Sequence, residues 1–229
     1  MLFKTRGIVI NYIRFRETSI ITKIYTEEFG LQTYIENGVR TSKGKNKIAL
    51  FQPLTLLDLV VYHRESGSIM RLSEVKCSEP LTDMPYNFVK SGIALFMSEV
   101  FNKALKEEST NPPLFEFLYQ SILYLDRQTE HFENFPIQFL LNFAQFLGFA
   151  PSEAKEVFAQ IEEFQLLDSA KEDEKPLDQL IHAPIHEYVP LTNSQRRRML
   201  EYVLIFYRLH VDNFGELRSI PVLREMLVG

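Results

Sequence analysis

Three consecutive segments, Thr5–Phe15 (TRGIVINYIRF), Ser19–Thr26 (SIITKIYT) and Leu31–Glu36 (LQTYIE), decide the fold class. Each is rich in the β-branched and aromatic residues that fit a pleated, half-buried surface, and only short polar breaks separate them, the second being the turn-like Glu28-Phe29-Gly30. Moving outward, Ile48–His63 reads as a long strand bent near Pro53, and Ser68–Cys77 as its return after the Glu65-Ser66-Gly67 turn. Five strands within residues 1–80 predict a small antiparallel unit that closes on itself. The OB-type Greek-key barrel is the commonest such solution, and pattern alone leaves a β-sandwich open.

Beyond Glu79-Pro80 the texture becomes helical. Asp83 and Pro85 precede a helix over Tyr86–Lys106, and Asn111-Pro112 opens another, with Asn111 as N-cap and Pro112 in the first turn, through about Asp126. Pro136 starts a third, whose apolar positions Ile137, Leu140, Leu141, Ala144 and Leu147 recur at helical spacing until Gly148 ends it. Pro151 begins a shorter one over Ser152–Phe164, and Thr192-Asn193-Ser194-Gln195 matches a capping box ahead of Arg196–His210. The polar run Asp168–Lys175 reads as an exposed loop. The expected architecture is therefore α+β with two domains: an OB-type β-barrel over residues 1–80 and an all-helical domain over 81–229.

The net charge of −5 argues at first against a nucleic-acid partner, but its distribution reverses that impression. Residues 1–80 hold 12 Lys and Arg against 8 Asp and Glu, a balance of +4, whereas residues 81–229 hold 13 against 22, a balance of −9. A field is set by local charge, so the barrel can attract a polyanion while the remainder supplies solubility. The basic groups concentrate in the stretch Arg40–Lys47, where Arg40, Lys43, Lys45 and Lys47 stand without an intervening acid. Lys4, Arg6, Arg14, Arg16, Lys23 and Arg71 join them, interleaved with Phe3, Tyr12, Phe15, Tyr25, Tyr34 and Phe51. Cations that follow phosphates beside aromatic faces on which bases stack, at ~1–3 kcal/mol per base, are what single-stranded nucleic acid requires. Most of those aromatics are expected inside a barrel this small.

Other chemistry is sparse. The chain has no Gly-rich phosphate loop, no Gly-x-Ser-x-Gly elbow and no His-Glu-x-x-His, so no enzyme is expected. The single cysteine, Cys77, cannot form an intrachain disulfide or a thiolate cage and reads as a small buried hydrophobe. His182 and His186 are split by Pro184, which argues against a helical metal pair, and no cofactor is expected. No apolar run is long enough to cross a bilayer and no cleavable leader is evident, which predicts a cytoplasmic protein.

Several short motifs add a resemblance. Gly7-Ile8-Val9-Ile10, Arg16-Glu17-Thr18-Ser19-Ile20, Thr26-Glu27-Glu28-Phe29-Gly30, Asn37-Gly38-Val39-Arg40 and Phe51-Gln52-Pro53-Leu54-Thr55-Leu56-Leu57 resemble, in order and spacing, the N-terminal barrel of the bacterial recombination and repair mediator family RecO. The likeness extends to Phe146-Leu147-Gly148-Phe149-Ala150-Pro151 and Leu217-Arg218-Ser219-Ile220. It implies DNA repair and recombination without catalysis: binding of single- and double-stranded DNA, annealing of complementary strands, and association with RecR, all in the cytoplasm at the nucleoid. It also implies capture of the acidic C-terminal tail of the single-stranded DNA-binding protein, for which Arg196, Arg197 and Arg198 form the densest cationic group in the helical part. Many members insert a four-cysteine zinc module after the segment matching Phe146–Pro151, whereas here residues 152–190 contain no Cys, so no zinc is expected. An RNA-binding OB protein is the alternative, because a basic barrel does not by itself tell DNA from RNA.

Overall fold

Gly7 lies where two strands of a closed barrel pass close to a third: a Cβ there would come within 2.7 Å of both Ile24 Cγ2 and Leu59 Cδ1. In the computed structural model, which describes residues 1–41, 45–63, 69–106, 109–162 and 170–226, five strands close around that point. They are β1 (Leu2–Phe15), β2 (Ser19–Thr26), β3 (Gly30–Glu36), β4 (Leu56–Tyr62) and β5 (Met70–Cys77), in the circular order β1-β2-β3-β5-β4. All neighbours are antiparallel except β3 and β5, which pair in parallel at Tyr34↔Met70 and Ile35↔Arg71. The expected OB-type barrel is thus present.

Its interior is filled by Val9, Ile20, Ile24, Tyr34, Leu57, Leu59, Val61 and Met70, together with Val39 and Phe51 from the connection between β3 and β4. That connection differs from the expectation of one strand over Ile48–His63. Lys45–Ile48 form a turn of helix, α1, Ala49–Phe51 continue as a 3₁₀ turn, and the strand begins only at Leu56. The physical reason is that a barrel end needs closing. The helical turns fold back so that Phe51 and Leu54 are wholly buried while Ile48 and Leu50 pack against the core. Glu65-Ser66-Gly67 lies outside the described residues.

The Tyr34 hydroxyl, wholly buried, finds no hydrogen-bond partner among the described residues. Burial raises the phenol well above its usual titration range. Since an unmade buried hydrogen bond costs ~1–3 kcal/mol, Tyr34→Phe is expected to stabilise the barrel by about 1 kcal/mol, read as a higher urea midpoint.

The helices are α2 (Phe88–Ala104), α3 (Pro112–Arg127), α4 (Phe135–Leu147), α5 (Ala154–Ile161), α6 (Ala170–His182), α7 (Asn193–His210) and α8 (Ile220–Met226). Their ends follow local chemistry. Asn111 Oδ1 accepts the Leu114 amide at 3.1 Å, Gly148 ends α4 in the left-handed region at φ 83°, and Thr192 and Gln195 form the reciprocal capping box of α7. The run expected as an exposed loop, Asp168–Lys175, is instead helical from Ala170, and Asp173 within it is wholly buried.

Compactness divides the chain into two units that interleave in sequence. The first joins residues 1–86 to 98–123, so that the end of α2 and most of α3 pack on the barrel: Ser98 Oγ donates to the Ile10 carbonyl at 3.1 Å, and Phe115 stacks on Tyr25. The second comprises residues 87–97 and 124–226 of the described chain. Its core is an aromatic series along α4, Phe135, Phe139 and Phe143, facing Met199, Val203, Phe206 and Tyr207 of α7, whose Tyr207 hydroxyl donates to the Leu140 carbonyl at 2.6 Å.

Candidate nucleic-acid interface

In a sheet, residues directly opposite each other share a face. On the outside of the barrel this places Ile13 beside Ile21, Ile21 beside Ile35, and Ile35 beside Arg71. Ile13 is 61% exposed, and Ile21 and Ile35 are half-buried, so an apolar row crosses β1, β2 and β3 and ends at a cation. The next row toward the barrel's middle is polar: Asn11, Lys23 and Thr33. The sequence reading missed the isoleucine row. Its signal was there, because Ile20-Ile21 and Ile24-Tyr25 put apolar side chains on both phases of a strand, and only one phase can face the interior.

The row runs into the β1–β2 turn, where cations gather. Arg16 adopts a left-handed conformation at φ 51°, and its guanidinium lies over the Phe15 ring at 5.2 Å. The following connection returns to the same place: Gly38, at φ 73°, turns the chain, the Arg40 amide donates to the Thr18 carbonyl at 3.1 Å, and Arg40 Nη1 donates to the Arg16 carbonyl at 3.0 Å. Arg14 precedes them on β1. Arg14, Arg16 and Arg40 are all exposed. Among the described residues none of these three guanidinium groups is ion-paired, which leaves positive charge available to phosphate.

Other cations singled out from the sequence are differently placed. Arg6 is held between Glu27 and Glu116, donating to them at 2.8 and 2.9 Å, with its guanidinium over the rings of Phe115 and Tyr119. Its charge is spent inside the first unit, which raises its already high pKa, chiefly through the Glu27 hydrogen bond. Lys47 pairs with Glu36. Arg71 is exposed at the far end of the isoleucine row. Lys43 and the side chain of Lys45 lie outside the described residues. Of the aromatics, Tyr25, Tyr34 and Phe51 are buried, and Phe3 and Tyr12 pack against the core, leaving Phe15 at the rim.

The Arg6 cluster yields a separate test. Glu27 is held below the ordinary carboxylate range, first by the Arg6 hydrogen bond, and Glu116 first by Gln120 and then by Arg6. Depressed folded-state values mean stability that is present above the unfolded pKa of 4.5 and lost as pH falls through the folded values. Arg6→Gln is therefore expected to flatten the acid limb of a pH–stability curve below pH 4.5 while leaving the salt dependence of any nucleic-acid binding unaltered. A reduced salt slope would put Arg6 back at the interface.

In the second unit, the three consecutive arginines separate. Arg196 is buried, donating to Asn134 Oδ1 at 2.9 Å and Asn193 Oδ1 at 2.7 Å. Arg198 is bound by the buried Asp173. Arg197 alone of the three is exposed. Cys77, expected to be buried, is exposed on β5; partial burial, with Asp58 and Glu79 nearby, raises its pKa, which disfavours the nucleophilic thiolate. His182 Nδ1 lies 2.8 Å from the Asp178 carbonyl, and among the described residues no three His, Cys, Asp or Glu side chains converge as a metal site. No helix among the described residues is long and apolar enough to cross a membrane.

Comparison with known proteins matches residues 1–81 to the family model described as Recombination protein O N terminal and residues 85–166 to that described as Recombination protein O C terminal. The chain is 32% identical over 243 aligned residues to the DNA repair protein RecO of Bacteroides fragilis. It is 33% identical to those of Phocaeicola vulgatus and Flavobacterium psychrophilum, over 242 and 237 residues. Each alignment covers 99% of both chains.

Proposed function

Because the chain belongs to the recombination protein O family of DNA repair proteins, we propose that it is a DNA-binding recombination mediator whose barrel engages the sugar-phosphate backbone at the β1–β2 turn. The observation that carries this reading is the meeting of exposed Arg16 and Arg40 at the β1–β2 turn, with exposed Arg14 two residues before it on β1, at the end of an apolar row that bases can cover. OB barrels bind oligonucleotides on the face of their second and third strands and at the loop between the first and second, where Ile21, Ile35 and Arg16 stand, with Arg14 at the end of β1 and Arg40 in the connection after β3 beside them. Backbone contact without base readout suits a protein that must act on any sequence, on single and double strands alike, and bring complementary strands together by screening their mutual repulsion.

On this reading the protein is not an enzyme, and works in the cytoplasm at the nucleoid, with RecR and the single-stranded DNA-binding protein as partners that place recombinase on DNA. An acidic tail arriving at the helical unit would meet Arg197, since Arg196 and Arg198 are already engaged. The test is fluorescence anisotropy with a labelled single strand across a salt series, with RNA of equal length as competitor and strand annealing followed in parallel. Binding that weakens steeply with salt, annealing of complementary DNA, and no preference for RNA are expected. Preference for RNA without annealing would favour a translation-associated barrel instead.

A further inference from the structure

Helices α5 and α6 occupy the part of the chain where, by the family resemblance, many members carry a four-cysteine zinc module. The donor set does not fit that metal. The chain's one cysteine is on β5, residues 152–190 contain none, and His182 has a ring nitrogen engaged by a backbone carbonyl. Yet α6 is a poor helix by itself: its first turns read Lys171-Glu172-Asp173-Glu174-Lys175, followed by Pro176, which removes an intrahelical hydrogen bond. Its place must come from packing and from whatever Asp173 does.

Asp173 is 0% exposed, which for a carboxylate is costly unless every oxygen is paired. Here both are. Arg198 of α7 approaches side-on, Nε donating to Oδ2 at 2.6 Å and Nη2 to Oδ1 at 2.7 Å, and the Tyr202 hydroxyl donates to Oδ2 at 3.0 Å. Arg198 and Tyr202 are four residues apart and share one face of α7. The third guanidinium nitrogen donates to Ser194 Oγ at 2.9 Å, fixing the fork from behind. Burial, then Asp173, pushes the Tyr202 hydroxyl up to about 12, so it remains a donor throughout the neutral range.

The same cluster reaches α5. Phe158 packs edge-on to Tyr202 at 5.3 Å, the Ala154 amide at the start of α5 donates to Asp178 Oδ1 of α6 at 2.6 Å, and Val157, Ile161, Leu177 and Leu180 are buried around it. One buried carboxylate thereby joins two helices directly and seats a third.

We propose that Asp173, Arg198 and Tyr202 form a metal-free clasp that closes α5 and α6 onto α7 where many relatives use zinc, making the helical unit indifferent to metal supply and to thiol oxidation. The comparison with zinc-bearing relatives rests on family membership; the clasp itself does not depend on the proposed DNA binding, which is measured separately. The experiment uses the full chain purified without added metal. Phenanthroline and mild peroxide are expected to leave its melting temperature unchanged. Asp173→Ala, which strands the Arg198 charge, is expected to lower the melting temperature by about 6–12 °C. It should also speed amide exchange at least tenfold, an order-of-magnitude expectation for local opening, in 154–161 and 170–182 but not in the barrel strands. Should Asp173→Ala fail to fold, Arg198→Lys, which keeps the charge and loses the fork, should give the same localised exchange to a smaller degree. Stoichiometric zinc, a chelator-induced fall in melting temperature, or exchange in α5 and α6 indifferent to both variants would overturn the proposal.

Discussion

Replacing Arg14, Arg16 and Arg40 together by alanine is expected to lower affinity for single-stranded DNA by about a hundredfold at 0.1 M salt, with the deficit closing toward 1 M. Each phosphate neutralised on a single strand contributes ~0.7 to the slope of log affinity against log salt, so three lost contacts flatten it by ~2, which over one decade of salt is two decades of affinity. The three side chains are exposed, and the interactions they make are local: Arg40 donates to a carbonyl of the turn and Arg16 rests on Phe15. Circular dichroism of the triple variant should therefore match that of the parent chain. A slope left intact would move the DNA surface away from the β1–β2 end of the barrel.

Phe51→Ala is expected to destabilise the barrel by about 3–5 kcal/mol, the cost of removing a large side chain from a site that cannot collapse around the gap. Phe51 is wholly buried at the closed end of the barrel, against Val39, with Leu54 buried three residues beyond it. Its ring is a plug, and the strands it seals are tied to one another by their register, which limits how far they can move inward. Urea denaturation monitored by amide exchange in β1–β5 should show a lower midpoint there. An unchanged midpoint would mean that the helical turns before Phe51 contribute little to closure.

These two expectations divide along the line between what the sequence made legible and what it did not. Strands β1, β2 and β3 could be read because β-branched and aromatic residues recur through them, whereas β5, with Val75 alone of those types, could be read only as the return after a turn; the capping box at Thr192 could be read because each of its two side chains accepts the other residue's backbone amide. The plug at 45–51 was misread because Ile48, Ala49, Leu50 and Phe51 are as apolar as a strand, and only the closed barrel creates the demand that bends them into helix. Asp173 was misread for the opposite reason. Five charged residues in a row look solvated until a partner 25 residues away, Arg198, makes burial affordable. The site was partly visible in the same sense: Arg14, Arg16 and Arg40 stood out as cations, but nothing local distinguished them from Arg6, whose acids are 21 and 110 residues distant. Charge can be counted along a chain; whether it is already neutralised depends on who arrives from elsewhere.

The circular strand order has a consequence for the order of events during synthesis. β5 sits between β3 and β4 although it follows both in the chain. As the polypeptide emerges, β1, β2 and β3 can form a meander, and β4 can add to the free side of β1 through Leu2↔Tyr62 and its successors. The slot between β3 and β4 stays open until Met70–Cys77 arrive. Two sheet edges therefore wait, side by side and unpaired, for the last strand, and an open edge accepts any extended segment that reaches it first. The barrel's seam is its youngest part, so the interval between the emergence of β3 and that of β5 is when a nascent chain of this protein is most exposed to pairing with a neighbour on the same message.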